Sequence, residues 1–146
     1  MNQHAPPAPP FTTPSFTTPP DAEAIAALAE RAVAAIPERL RQHIANVGIT
    51  VEDLAEDELL EEMGIESAWE LTGLYQGIPL GERSMSDIVR MPDRIVLYRL
   101  AILFEWVELG EDLGRLVQNV VVHEIAHHFG FSDAEIEALE GEMETR

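Results

Sequence analysis

After residue 20 the apolar side chains fall first into a helical pattern. Ile25, Leu28, Ala29, Ala32, Val33 and Ile36 recur at the three- and four-residue spacing of one helix face. Asp21 stands where an N-cap belongs, so the pattern predicts a helix from Ala22 to about Ile36. Pro37 suits the start of a second, short helix through Ile44. The period then changes. Val47-Gly48-Ile49-Thr50-Val51 alternates and is rich in β-branched residues, which predicts a strand. Glu56 to Met63 reads as a short acidic helix closed by Gly64. Leu71 to Tyr75 predicts a second strand, followed by a loop through Gly77, Pro79 and Gly81. Pro92-Asp93 is a turn, and Arg94 to Tyr98 a third strand. The apolar run Leu100 to Leu109 fits a continued strand or a helix, and is read as a helix. Glu111 to Phe129 predicts a long helix and Ser132 to Met143 a last one, with Ser132 and Glu135 at capping-box spacing. The expected fold class is α+β, about three strands with helices gathered against them.

The first 20 residues break from this pattern. Pro6, Pro7, Pro9, Pro10, Pro14, Pro19 and Pro20 forbid helix and ladder pairing there, so residues 1–20 are expected to form a disordered Pro/Thr-rich tail before a domain at 21–146. The formal charge of −18, from 27 acidic residues against nine arginines, repels phosphate backbones and anionic lipid. Nucleic-acid and membrane-surface roles are therefore not expected. Nor is a spanning segment or a secretory signal visible, and the expected location is the cytoplasm. With no cysteine, any metal must be held by His, Asp or Glu.

The chemistry concentrates in His123-Glu124-Ile125-Ala126-His127-His128-Phe129-Gly130-Phe131-Ser132-Asp133. Histidines four apart on a helix differ by about 40° in azimuth and by about one turn along the axis. His123 and His127 can therefore reach one Zn²⁺, with Glu124 beside them as a general base for water. Val120, Val121, Val122, Ile125, Ala126 and Phe129 surround the motif, and histidines on so apolar a helix need partners. His128, offset by about 100° from His127, faces a surrounding or surface environment rather than the ion.

A third ligand requires a change of direction. On a continuing helix Asp133 would sit roughly 15 Å beyond His123, on another face. Gly130 can take the left-handed conformation that ends a helix and lets the chain fold back. The spacing H-E-x-x-H-x-x-G-x-x-D is that of the long metzincin-type motif with Asp in place of the last His. Asp133 is thus the expected third ligand, with Glu137, Glu140 and Glu144 as alternatives; an acidic residue at 133 would also suit the start of the last helix.

Three segments resemble a bacterial family of small, acidic zincin-like metallopeptidases with a minimal zincin fold. They are Leu71-Thr-Gly-Leu-Tyr-Gln-Gly-Ile-Pro-Leu-Gly-Glu-Arg-Ser84, Met91-Pro-Asp-Arg-Ile-Val-Leu-Tyr-Arg99 and Val121-Val-His-Glu-Ile-Ala-His-His-Phe-Gly-Phe-Ser-Asp133. The resemblance spans roughly residues 22–140. It implies a zincin-type domain, one Zn²⁺ per chain, His123 and His127 as ligands, Glu124 as general base, and supports Asp133 as third ligand. It also implies an edge strand above the site, Leu71–Tyr75 or Arg94–Tyr98, that pairs with extended substrate. One departure is that no methionine-bearing turn of the metzincin kind has room after Asp133, which argues against a deep specificity pocket and against cleavage of folded proteins.

The expected function is therefore zinc-dependent hydrolysis of a peptide or protein substrate. The competing expectation is a non-catalytic metal-binding regulatory or interaction module that retains the site. Glu124 favours the enzyme, because holding a metal does not require it.

Overall fold

The computed structural model describes residues 17–44, 47–77 and 93–144. The Pro/Thr stretch through residue 16, the loop through Pro79 and Gly81, and Pro92 of the expected turn lie outside the described residues. Among the described residues, six α-helices and a three-stranded mixed sheet give the α+β class that the periodicity predicts. None of the helices described is long and apolar enough to cross a membrane.

Asp21 caps α1 (Ala22–Ala34), its side chain accepting from the Ala24 amide at 2.9 Å. The helix stops short of Ile36 because Pro37 disfavours helical geometry in the residue before it. Pro37 then leads into α2 (Glu38–Arg41), which tapers through turn bonds from His43 and Ile44 rather than continuing as helix. Next come β1 (Gly48–Glu52) and α3 (Asp57–Met63), ended by Gly64 in the left-handed region.

The second strand, β2, runs over Gly73–Gln76 rather than Leu71–Tyr75. Its start is delayed by a single 3₁₀ turn at Ala68–Glu70, capped by Ser67, into which the Leu71 amide bonds through the Ala68 carbonyl at 3.2 Å. Arg94–Tyr98 forms β3, and Arg99–Leu109 follows it at once as α4, the helical option for that apolar run. Asp112 caps α5 (Leu113–His128), and α6 (Asp133–Glu144) ends the described chain.

β3 is the middle strand. It pairs in parallel with β1 (Ile49 opposite Ile95) and antiparallel with β2 (Tyr75 opposite Ile95). All of Ile95, Val96, Leu97 and Tyr98 are buried, which requires cover on both faces. Ile95 and Leu97 join Tyr75 in the larger core, with Ile25, Ala29 and Ala32 of α1, Val117, Val121 and Ile125 of α5, and Ile136 and Leu139 of α6. Val96 and Tyr98 face the other way, into a smaller core with Ala55, Leu60, Leu71 and Ala101. The sheet is thus sandwiched, and α5 lies against it with only part of its surface open to solvent.

Candidate metal centre

Along α5, residues Leu113, Leu116, Val117, Val120, Val121, Val122, Ile125 and Ala126 are buried, while His123 and His127 are exposed. Core packing therefore fixes the helix's rotation and turns one stripe, carrying both imidazoles, outward. Their Nε2 atoms stand 3.1 Å apart.

After His128 the helix ends in a complete Schellman arrangement. Gly130 has φ +83°, its amide bonds the His127 carbonyl at 3.0 Å, and the Phe131 amide bonds that of Ala126 at 2.9 Å. The chain reverses there. The reciprocal pair Ser132–Glu135, with bonds of 2.9 and 3.2 Å, then starts α6 at once. These two caps leave no slack between the helices, and Asp133 Oδ1 lies 3.3 Å from His127 Nε2.

His123, His127 and Asp133 each offer an atom within 4.8 Å of the others, and among the described residues no other such group of three occurs. The donors fit a zinc ion. With bonds of about 2.0–2.1 Å and tetrahedral angles, neighbouring ligand atoms lie about 3.3 Å apart. The 3.1 and 3.3 Å separations match that edge, with two imidazoles and a carboxylate as the donor set. Of the alternatives weighed from sequence, Glu144 pairs with Arg115 at 3.2 Å and Glu137 is exposed. Glu140 is half-buried, and burial raises its carboxyl above the usual range while His123 pulls it down.

Glu124 points from the same helix toward the sheet. Burial pushes its carboxyl up; the neighbouring His127 and a hydrogen bond from the Tyr75 backbone amide act against that shift. Strand register explains the hydrogen bond. The Tyr98 amide donates to the Thr72 carbonyl at 2.9 Å, so antiparallel alternation turns the backbone groups of Gly73 and Tyr75 away from β3, to the outer edge of β2. Glu124 takes the amide of Tyr75 there.

Such closeness needs a glycine. A methyl group at Gly73 would lie 2.7 Å from Val120 Cγ1 and 3.3 Å from Leu97 Cδ2. The Tyr75 side chain locks the same strand from its other end. Its hydroxyl donates to Asp93 Oδ2 at 2.8 Å, and its ring stacks on His128 at 3.9 Å between centroids. His128 thus braces β2, away from the two imidazoles that converge on Asp133. Sequence reasoning did not single out Gly73 or Tyr75. The available signal was their shared face, two apart in an alternating strand.

Against known families, residues 44–143 match the model described as zincin-like metallopeptidase. No curated protein matches the chain. The match starts after α1, although α1 supplies Ile25, Ala29 and Ala32 to the same core as the motif helix. It covers more than half of the chain and includes every residue of the site just described, and the protein belongs to the zincin-like metallopeptidase family.

Proposed function

We propose that the protein is a zinc-dependent peptidase in which His123, His127 and Asp133 hold the ion and Glu124 is the general base. The observation that carries this reading is the convergence of two Nε2 atoms 3.1 Å apart with a carboxylate oxygen 3.3 Å from one of them, one residue away from a desolvated glutamate. When bound, Zn²⁺ supplies Lewis acidity that activates water and polarises a carbonyl. Glu124 would take the proton released from the attacking water and return it to the departing amine. A carboxyl held above its ordinary pKa holds a proton more readily than an exposed one, which suits a group that takes a proton from water and passes it on. The Tyr75 amide orients that carboxylate by hydrogen bonding to it.

An extended peptide would bind along β2. β3 is paired on both sides, so of the two strands only β2 can offer an edge, and among the described residues no strand pairs with it on its outer side. Gly73 presents its outward backbone groups beside Glu124.

Protein purified without chelator is expected to carry about one zinc per chain and to gain thermal stability on zinc addition. Hydrolysis of a mixed peptide library should then be lost in Glu124→Gln while zinc content is kept. Hydrolysis that survives this substitution would remove Glu124 from the reaction. Zinc binding with no hydrolysis by either protein would favour a metal-binding module.

A further inference from the structure

The opposite face of the sheet carries a second feature that the metal centre does not use. The 3₁₀ turn and α4 enclose a shallow groove of about 680 Å³ lined by Glu66, Ser67, Trp69, Glu70 and Phe104. Trp69 and Phe104 meet edge to face at 5.6 Å, yet they are 45% and 47% exposed. Val107, one turn further along α4, is 77% exposed. Two aromatic rings already packed on one another, with half their surface in water, form a preset apolar platform, which a monomer seldom leaves uncovered without use.

Among the described residues that line or flank it, the charge is of one sign. Glu66 and Glu70 line the groove, and Glu105 and Glu108 flank Phe104 on α4. None of the four has an ion-pair partner among the described residues; the arginines there that form ion pairs bind Asp53, Glu142 and Glu144. The carboxyl of Glu105 is raised by burial and then by repulsion from Glu111 and Glu108, so like charges crowd this part of α4.

We infer that the Trp69–Phe104 groove docks a cationic polypeptide segment, one that places an apolar side chain on the ring pair and arginine or lysine against Glu66 and Glu70. Charge chooses this occupant over the others. A second copy would bring another −18 surface against the same carboxylates, and anionic lipid or nucleic acid is repelled in the same way. A guanidinium gains twice, stacking on the Trp69 face and bonding a carboxylate in fork geometry. The inference does not depend on the metal centre or on hydrolysis.

The test is fluorescence anisotropy of the full chain with three labelled 12-residue peptides: Arg/Leu, Arg/Ser and Glu/Leu, each of mixed order. The Arg/Leu peptide is expected to bind at least tenfold more tightly than either of the others. Trp69→Ser/Phe104→Ser leaves net charge unchanged and should weaken the Arg/Leu peptide at least tenfold. Glu66→Gln/Glu70→Gln, nearly isosteric, should weaken it by a similar factor and flatten its salt dependence. Thermal melts report whether each variant is folded, and the Gln pair keeps the test decisive if the Ser pair is not. Equal binding of Arg/Ser, or no loss in a folded Ser variant, would reduce the effect to diffuse charge and overturn the inference. So would absence of binding by the unmodified chain. A dimer that sediments as such and dissociates on Trp69→Ser/Phe104→Ser would assign the groove to a second copy instead.

Discussion

Replacing Gly130 by alanine isolates the link between backbone conformation and the third donor. The residue sits at φ +83°, and a methyl group there would meet no atom of another part of the chain within 4 Å. The substitution therefore introduces backbone strain alone, about 1–2 kcal/mol for a side-chain-bearing residue in the left-handed region. Gly64 and Gly110 share that geometry, with φ of +69° and +64° and equally open surroundings, and they terminate other helices, α3 and α4. Each of the three alanine variants is expected to lose about 1–2 kcal/mol of folding stability, measurable by urea titration.

Only Gly130→Ala should also lose zinc. Its strain is relieved if the chain after Phe129 opens, and opening withdraws Asp133 from the 3.3 Å contact with His127. Binding must then reimpose the strain, so up to the same 1–2 kcal/mol appears as weaker zinc affinity, a factor of roughly 5–30. Competition with a chromophoric chelator reads this directly. If Gly130→Ala binds zinc as tightly as Gly64→Ala and Gly110→Ala while losing the same stability, the turn does not deliver Asp133 to the ion. The ligand assignment would fall with it.

Gly73→Ala tests the closeness of β2 and α5. Its methyl group would overlap Val120 Cγ1, so a destabilisation of about 1–3 kcal/mol is expected from overpacking, with peptide hydrolysis falling more than zinc content, both read on the same sample. Ser132→Ala removes a cap that the Glu135 amide uses, and about 1 kcal/mol of stability should go with it, seen as a lower urea midpoint. Glu105→Gln should raise the melting temperature near neutral pH. Burial and two neighbouring glutamates hold that carboxyl above its unfolded value, so its charged form is a folded-state penalty that disappears below the unfolded pKa. The advantage of the Gln variant should therefore shrink as pH is lowered toward 4, and a constant advantage across that range would refute the charge explanation.

Much of this was legible because local chemistry decides it. The period of Ile25 through Val33 and the capping by Asp21 specify α1, and Gly130 with Ser132 and Glu135 specifies the reversal that brings Asp133 back. What stayed hidden depends on partners distant in sequence. The strand Leu71–Tyr75 begins two residues late because a 3₁₀ turn claims the Leu71 amide, a competition among backbone bonds that propensity does not weigh. Which strand forms the edge follows from β1 joining β3 in parallel across more than forty residues, and no local pattern encodes that pairing. The anchoring of Glu124 by the Tyr75 amide follows in turn from that register.

The packing of α1 on α5 also sets an order of events during folding. Ile25, Ala29 and Ala32 are buried only when Val117, Val121 and Ile125 arrive, some ninety residues later in the chain. β1 likewise waits for β3. Contacts of such long range close late and slowly, because the loop entropy is spent before any of them forms. The helix that completes the core is the one that carries the imidazoles. Closing the core is thus also the step that seats Glu124 against the edge of β2, beside donors that the Gly130 turn has already gathered locally.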